Sequence, residues 1–259
     1  MKKLLPLFFC FPLLLLAGAQ SPMQYAPFMV RPVAASGRTW FPTNQTGYPI
    51  MAWYVASDYT TNTTPVLQDR TANAFNLTNL AANTAWPTTS GGALVFDGTS
   101  DYLTQDAFIW GTNCEALIVC KLKTFEVNDG IVAATNGSTR LRLWNSSGNS
   151  IQGSDGNVSA TFTGLDAGIT NQWLVLSFIR SNTSGGNFQI TVNTNGANVV
   201  VGSSGTGAGT NYGLNLGTTY SRTFGWANME FREAVFLPTN LTSTIRSQWV
   251  TELRAIYGF

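Results

Sequence analysis

Two neighbouring runs indicate the class of fold most clearly, Trp173-Leu-Val-Leu-Ser-Phe-Ile179 and Phe188-Gln-Ile-Thr-Val-Asn193. The first run is apolar at nearly every position, which predicts a central strand with both faces covered. The second run alternates strictly between apolar and polar residues, which places one face inward and the other in solvent. Together the two runs predict antiparallel strands in a sheet that has one wet face.

The same pattern continues on both sides of these runs. From Ile50 onward, short segments rich in Val, Ile, Leu, Phe, Trp and Thr alternate with clusters of Gly, Asn, Ser, Asp and Thr. No helical spacing separates them, so they favour antiparallel sheets over alternating strands and helices. The predicted strands are 92–97, 115–122, 130–135, 139–144, 158–163, 172–180, 187–193, 197–202, 212–217 and 228–237.

One helix is predicted at the end of the chain. Thr242 can cap its start, Ile245, Trp249 and Leu253 recur at the spacing of one helical face, and Gly258 ends it. We expect this apolar face to pack on the domain's own sheet rather than on a membrane or a partner.

The first residues read as an export signal. Lys2 and Lys3 precede an apolar run from Leu4 to Leu16, and small residues follow up to Ala19, which predicts a signal peptide over residues 1–19. The run has about 13 residues, too few for a membrane span of about 20. We therefore expect an exported protein, extracellular or at the cell surface, with the periplasm as the alternative, and no membrane insertion after cleavage.

The rest of the chain divides at about residue 50. Residues 20–49 contain five of the ten prolines and no clear periodicity, which indicates an extended arm or linker lying on or outside the domain. Residues 50–259 carry the strand pattern and the helix, and a sandwich of about 200 residues can be one domain.

The composition excludes several classes of function. The chain has no His, which removes Ser-His-Asp and Cys-His nucleophiles, an imidazole base and zinc sites of the usual His-containing kinds. Its 14 Lys and Arg nearly balance 13 Asp and Glu, and only 10% of residues are charged, so the basic footprint of a nucleic-acid binder is missing. The solvent-exposed strand faces consist largely of Thr, Asn, Ser and Gln. This composition is typical of surfaces that bind neutral polar ligands or other copies of the chain.

Cys114 and Cys120 lie in one predicted strand. Six residues of extended chain place their Cα atoms about 20 Å apart, whereas a disulfide tolerates at most about 7 Å. Two free, buried thiols are therefore favoured, and a bridge made by a bend at Asn113 is the alternative.

The order of these segments resembles that of a known superfamily. Met51-Ala-Trp-Tyr-Val-Ala-Ser-Asp58 is followed by Gly92-Ala-Leu-Val-Phe-Asp-Gly-Thr-Ser-Asp-Tyr-Leu103, by strand 115–122, by Trp173-Leu-Val-Leu-Ser-Phe178, and by Glu233-Ala-Val-Phe-Leu237 with the closing helix. In this order they are similar to the concanavalin A-like lectin/glucanase superfamily, and more narrowly to laminin G-like domains of secreted and surface-attached microbial proteins. The resemblance implies an all-β fold, a two-sheet antiparallel jelly-roll sandwich with one C-terminal α-helix. It also implies binding of carbohydrate or protein at a rim or concave face, and in some members a calcium ion.

The glucanases of that superfamily carry acidic residues at i, i+2 and i+4 of one strand. Here the nearest acids are Glu230 and Glu233, and an i, i+3 pair on a regular strand points to opposite faces. Retaining hydrolysis needs two carboxyl groups about 5 Å apart, and related lyases use a histidine that this chain does not possess. We therefore expect no catalysis, and we interpret Glu233 as a structural residue that pairs with an arginine or closes a turn.

The turn Asp97-Gly-Thr-Ser-Asp101 is the candidate cation site. Asp97 and Asp101 are hard oxygen ligands close in sequence, and backbone carbonyls could complete the six to eight oxygens that calcium takes. The alternative is that Asp97 accepts hydrogen bonds from the amides of the turn, as Asp before Gly commonly does. Calcium is the one cofactor that the sequence suggests.

Three tryptophans are candidates for carbohydrate binding, because an exposed ring face can stack on the C–H groups of a sugar. Trp86 lies in a long loop, Trp110 immediately precedes a glycine, and Trp144 ends a predicted strand, so loops should leave them accessible. The alternative for each is a loop residue folded against the sandwich.

These observations predict a secreted, non-catalytic binding protein whose partner is a glycan or surface polysaccharide. The alternative is a structural subunit of an extracellular filament, sheath or surface layer, in which the arm at 20–49 laces onto a sheet edge of another copy. The low charge supports that alternative because it weakens repulsion between copies. A glycoside hydrolase or lyase is the least favoured function.

Overall fold

The computed structural model describes most of the chain from Arg38 to the C-terminus. The described residues are 38–45, 47–61, 64–79, 85–124, 126, 128–135, 139–144, 150–155, 158–163, 169–181, 189–194, 197–202, 211–219 and 222–259. The predicted signal peptide at 1–19, and residues 20–37 of the predicted arm, lie outside them.

Strands make up most of the regular structure in the described residues, with one α-helix and a short 3-10 helix at Pro42–Asn44. The strands are β1 Ala52–Thr60, β2 Val66–Asp69, β3 Leu77–Thr78, β4 Thr88–Ser90, β5 Ala93–Asp97, β6 Leu103–Trp110, β7 Cys114–Leu122, β8 Gly130–Ala133, β9 Arg140–Trp144, β10 Ser150–Asp155, β11 Val158–Thr163, β12 Trp173–Arg180, β13 Gln189–Thr194, β14 Ala197–Gly202, β15 Asn211–Leu216 and β16 Asn228–Leu237. The helix, α1, is Ser243–Tyr257.

The described strands pair into one continuous sheet that curls back on itself. Their order is β11-β10-β9-β8-β15-β6-β3-β2-β1-β16-β7-β12-β13-β14, and β5 pairs with β16 and with β4. Strands β10 and β11 at one end of this order contact β13 and β14 at the other end. The sheet therefore forms two packed layers, a first layer centred on β1, β16, β7 and β12 and a second layer centred on β6, β15, β8 and β9.

The main core fills the space between the two layers. Strand β12 is buried along almost its whole length, as its apolar run predicts, and it pairs antiparallel with β7 and β13. The large core side chains include Phe96, Phe108, Ile118, Leu176, Phe178, Phe231 and Phe236. The predicted all-β antiparallel sandwich with one C-terminal helix is confirmed.

Helix α1 covers the outer face of the first layer. The Thr242 hydroxyl accepts the first capping hydrogen bond, and Gly258 ends the helix with a φ of 73°, as predicted. Glu115 in β7 anchors the helix start, because its carboxylate accepts the Leu241 amide at 2.8 Å and the Arg246 guanidinium at 2.9 Å. The helix therefore packs on the domain's own sheet.

Glu233 joins the first layer to the segments that cover it. Its side chain is fully buried and forms a bidentate pair with Arg38 at 2.8 and 2.9 Å. It also accepts hydrogen bonds from the Trp53 indole at 2.8 Å and from the Tyr257 hydroxyl at 2.6 Å. The predicted structural role of Glu233, pairing with an arginine, is confirmed.

The described end of the predicted arm is part of this outer layer. The rings of Trp40 and Tyr48 contact the Trp249 ring edge-on, with centroids 5.3 and 6.2 Å apart. Phe41 meets Trp53 in the same way at 6.1 Å. Residues 38–50 thus pack on the domain, on the N-terminal side of the boundary predicted at residue 50. Within the described residues, no helix is long and apolar enough to cross a membrane.

The two cysteines lie at opposite ends of β7. Cys114 pairs in register with Arg180 and Cys120 with Leu174, and both side chains are buried. Neither cysteine forms a disulfide, which confirms the prediction that they do not bridge. Burial raises the pKa of the Cys120 thiol to about 12.

Candidate functional site

The outward face of the second layer carries exposed large apolar side chains. Among the described residues four such side chains are exposed: Ile109 on β6 and Tyr212 on β15 at 47% each, Phe224 at 44% in the segment that follows β15, and Trp86. Tyr212 on β15 is the cross-strand partner of Ile109 on β6. Clustered exposed apolar groups mark binding surfaces, whereas isolated ones are ordinary. We define the aromatic face as Ile109, Tyr212 and Phe224 together with the ion pair of Asp106 and Arg222.

An irregularity in the strand ladder turns Tyr212 outward. The register between β6 and β15 shifts between Tyr212 and Leu214. Gly213 between them has a φ of 72°, and a Cβ there would lie 1.9 Å from Thr135 Oγ1. The Thr135 amide donates to the Tyr212 carbonyl at 3.0 Å. Only glycine fits at 213, because both the backbone angle and the neighbouring side chain exclude a Cβ.

An ion pair lies beside the exposed rings. Arg222 donates from Nη2 to Asp106 Oδ1 and from Nε to Asn215 Oδ1, the latter at 3.0 Å. Asn215 is fully buried, and it also accepts the Thr104 hydroxyl and donates to the Thr219 carbonyl, each at 2.8 Å. The guanidinium is thus held from beneath by a satisfied buried amide. The Asp106 side chain is 66% exposed, against 17% for Arg222, so the carboxylate is the group that faces solvent.

The segment after β15 is fixed by its own backbone. The hydroxyls of Thr218 and Thr219 both donate to the Phe224 carbonyl, at 3.2 and 3.0 Å. Arg222 has a φ of 58°, a left-handed conformation that costs a non-glycine residue about 1 kcal/mol or more. Such a conformation persists only where surrounding contacts hold it, and here they place both the ring of Phe224 and the charge of Arg222.

A second polar cluster supports the far side of this segment. Arg142 on β9 donates to Gln152 on β10 at 2.9 Å and to the side chain of Asn128. Next to it, Asp129 is buried, and burial together with the charge of Glu126 raises the pKa of Asp129 to about 7. A carboxyl group in this environment is partly protonated near neutral pH.

Trp110 does not belong to the accessible surface. It is 1% exposed, its indole N–H donates to the Gly213 carbonyl at 2.6 Å, and its ring contacts Phe108 and Phe236 edge-on. The expectation that a loop leaves Trp110 accessible is therefore wrong. Trp110 ends β6 in phase with the inward-facing Phe108, and its neighbour Ile109 takes the outward position instead.

Of the other two tryptophan candidates, Trp86 does not join the aromatic face and the position of the Trp144 side chain is not described. Trp86 is 40% exposed, as expected, but it precedes β4, which pairs with β5 at the edge of the first layer. Trp144 ends β9, and its side chain lies outside the described residues. Of the three predicted tryptophans, Trp110 is therefore buried in the core and Trp86 lies on the other layer.

The turn at Asp97 and Asp101 is held by its own hydrogen bonds. Asp97 Oδ1 accepts the amides of Thr99, Ser100 and Asp101 at 2.8, 3.0 and 3.3 Å, and Asp101 accepts the Asp97 amide at 3.1 Å. Burial opposes ionisation of Asp97, but a hydrogen bond from the Thr99 hydroxyl together with these amide bonds holds its pKa below the ordinary value. Burial and the charge of Asp97 raise the pKa of Asp101 to about 6. Among the described residues no three Asp, Glu, His or Cys side chains cluster as metal ligands would, so calcium binding here stays a prediction.

Glu230 and Glu233 share one face of the sheet, contrary to the expectation for a regular strand. The register between β16 and β7 shifts between Phe231 and Glu233, so the two glutamates pair with Lys121 and Val119, which are two residues apart on β7. Glu230 bonds Lys121 at 2.9 Å as well as a second lysine at 3.1 Å, whereas both oxygens of Glu233 are occupied by the groups described above. Both carboxylates are therefore engaged in ion pairs.

The sequence contains weak signals for the residues of the aromatic face. Tyr212 precedes a glycine within a predicted strand, which is typical of a bulge. Asp106 and Arg222 are charged residues in a chain with few charges. Nothing in the local pattern links the two, because they are 116 residues apart.

No family model matches the chain, and no curated protein has a matching sequence. Several solved structures have a similar fold. Domain 4 of AbnA, a GH43 extracellular arabinanase from Geobacillus stearothermophilus, has a TM-score of 0.52 at 15% identity, covering 78% of this chain and 98% of that domain. The botulinum neurotoxin type G receptor binding domain has a TM-score of 0.51 at 12% identity, covering 80% of this chain and 50% of that one. A sialidase from Trypanosoma rangeli has a TM-score of 0.53 at 11% identity, covering 84% of this chain and 36% of that one.

At these identities the likeness shows the fold alone, a jelly-roll-like β-sandwich. This chain spans about half of the toxin domain and about a third of the sialidase, but nearly the whole of the arabinanase domain.

Proposed function

We propose that this protein is exported and binds carbohydrate, without cleaving it, through the aromatic face of the second layer. The observation that carries the proposal is that the exposed cross-strand pair of Tyr212 and Ile109 lies on the two strands that also hold Asn215 and Asp106, the partners of Arg222. The segment that carries Arg222 exposes a further ring, that of Phe224. Among the described residues the remaining exposed large apolar side chain, Trp86, lies on the other layer.

The chemistry of this face suits an oligosaccharide. Exposed aromatic rings offer flat apolar surfaces that can stack on the C–H groups of a sugar ring, and a carboxylate can accept hydrogen bonds from its hydroxyls.

The solved structures of similar fold support this proposal. Domain 4 of the arabinanase was solved in complex with arabinotriose, and the sialidase in complex with a difluorinated nononic acid. The toxin domain is a receptor binding domain. Together with the segment order described above, they favour assignment of this chain to the concanavalin A-like, laminin G-like group.

The test is binding of the mature protein to an array of neutral and acidic oligosaccharides, followed by titration of the best ligand. Tyr212→Ala and Phe224→Ala should each weaken binding by about tenfold or more, because truncation of a binding aromatic commonly costs 2 kcal/mol or more. Trp86→Ala is the matched control, since it removes an equally exposed ring from the other layer. No binding, loss of binding on Trp86→Ala alone, or conversion of the glycan into shorter products would contradict the proposal.

Self-assembly is the second candidate, supported by an exposed edge. Every residue of β4 is exposed, and among the described strands β4 pairs on one side only, with β5. Because residues 38–50 pack on the domain itself, the segment available to reach another copy is 20–37. Light scattering on the mature protein should show large assemblies that disappear when residues 20–37 are deleted, and a monomer in both cases would exclude this function.

A further inference from the structure

We propose that Asp106 makes the aromatic face selective for uncharged glycans over glycans that carry carboxylates. This inference rests on the proposed carbohydrate binding and names the class of ligand that the same face takes. Its physical basis is the arrangement of one cation and one anion in the site.

Arg222 cannot act as a free receptor for an acidic sugar. Its Nε is bonded to Asn215 and its Nη2 to Asp106, so both nitrogens of the side-on edge of the guanidinium are already engaged. Bonds from Thr104 and to Thr219 hold the Asn215 amide in turn. An arginine fixed in this way cannot swing out to form the bidentate pair that usually binds a carboxylate.

Asp106 adds a direct barrier to anions. Its carboxylate is the more exposed member of the pair, so an incoming carboxylate meets negative charge before it reaches the guanidinium. It would have to displace Asp106 from Arg222 and leave an unpaired charge at the surface of the site. Rejection by like charge of this kind is a common source of specificity.

A neutral sugar meets no such barrier. Only Oδ1 of Asp106 bonds the guanidinium, so a sugar hydroxyl can donate to the carboxylate without breaking the pair. A hydrogen bond to an ionised acceptor is stronger than one to a neutral acceptor. The rings of Tyr212 and Phe224 carry no charge and tolerate either class of sugar, which leaves Asp106 to discriminate between them.

The experiment uses an array in which each neutral oligosaccharide is paired with its uronic acid counterpart, with titration of the best pair. The wild-type protein should bind the neutral member at least tenfold more tightly. Asp106→Asn removes the anion but keeps the shape, and should shift the ratio toward the acidic member by about tenfold or more, the usual worth of a charge-assisted bond. Its binding of the acidic member should also weaken with added salt.

Two control variants test whether the charge of Asp106 itself sets the preference. Asp106→Glu keeps the charge and should keep the neutral preference. Asp58→Asn removes the carboxylate of another surface arginine pair, that of Asp58 on β1 with Arg70 directly after β2, and should leave the ratio unchanged. Unfolding midpoints of all variants establish that they are folded.

The outcomes separate the two proposals. If no glycan on the array binds, both the proposed function and this inference are overturned. If glycans bind but the wild type prefers acidic members, or Asp106→Asn leaves the ratio as it was, only the inference is overturned.

Discussion

Replacement of Glu233 by glutamine tests whether the outer layer is held on the sheet by one buried charge. Glu233 is completely buried, and its two oxygens accept two bonds from Arg38, one from Trp53 and one from Tyr257. Glutamine has nearly the same shape but replaces one acceptor oxygen by a donor. In either orientation that donor faces an Arg38 N–H, together with the Trp53 indole N–H on one side or the Tyr257 hydroxyl on the other, and Arg38 loses its counter-charge.

The expected cost follows from this geometry. Removing one partner of a buried ion pair costs about 3–5 kcal/mol, because the remaining charge is left without compensation. For a domain of this size each kcal/mol lowers the melting temperature by about 2–4 °C, so Glu233→Gln should lower it by roughly 6–20 °C. The matched control is Glu230→Gln on the same strand, whose side chain is 19% exposed between two lysines. Partly exposed pairs contribute about 1 kcal/mol or less.

Urea unfolding of both variants, followed by tryptophan fluorescence, gives the two free energies of unfolding. A double-mutant cycle with Arg38→Met then isolates the pairwise energy, which should exceed about 1 kcal/mol if the two charges act together. The reasoning is that Glu233 holds the N-terminal segment and the helix on the sheet. It would be refuted if Glu233→Gln and Glu230→Gln destabilised the protein equally, or if the effects of Glu233→Gln and Arg38→Met were additive.

Three further predictions concern buried groups and the backbone. Cys114 and Cys120 should react with a thiol reagent only after unfolding, since both are buried, and rapid reaction in the native state would show that β7 opens. Gly213→Ala should destabilise the domain and weaken glycan binding, because its Cβ would overlap a threonine hydroxyl. Gly91→Ala, at a φ of 57° with nothing within 4 Å, should cost about 1 kcal/mol and leave binding intact. Asp129 has a folded pKa of about 7, above its unfolded value of about 3.9, so its contribution to stability falls as the pH rises between those values. Asp129→Asn should therefore flatten the loss of thermal stability between about pH 4 and about pH 7, and an unchanged profile would contradict that assignment.

The elements that the sequence predicts well are those whose pattern is local. The apolar run 173–179 corresponds to β12, Trp173–Arg180, because a strand covered on both faces has no polar positions. Thr242 and Gly258 bound α1 as capping chemistry requires. Strand β6 was not predicted, since its outward positions hold Asp106 and Ile109 out of simple alternation. The pairing of β16 with β1, β5 and β7 depends on contacts between distant parts of the chain, which local periodicity does not encode.

Candidate residues for the site were harder to predict. The prediction followed residue type and did not consider where each residue stands in the inward and outward alternation of its strand. Trp110 precedes Gly111 in sequence, which suggests exposure, but its phase with Phe108 in β6 directs it into the core. Conversely, Tyr212 lies inside a predicted strand and is nevertheless exposed. Loop position is therefore a poorer guide to exposure in this sandwich than position within the pleat.

Irregularities in the strand ladder account for the side chains whose orientation differs from that expected on a regular strand. On a regular strand, residues three apart point to opposite faces, yet here three such pairs lie on one face: Glu230 with Glu233, Asp106 with Ile109, and Tyr212 with Asn215. Each pair spans a shift in register, and one extra residue moves every later side chain to the other face. In β16 the shift buries a second carboxylate under the helix, where it binds Arg38. In β6 and β15 the facing shifts bring an anion and two apolar side chains to the same outward surface, whereas regular strands would have turned one member of each pair toward the other layer. The aromatic face is therefore a product of the bulge between β6 and β15, and substitutions that restore a regular ladder there should abolish the face while keeping the sandwich.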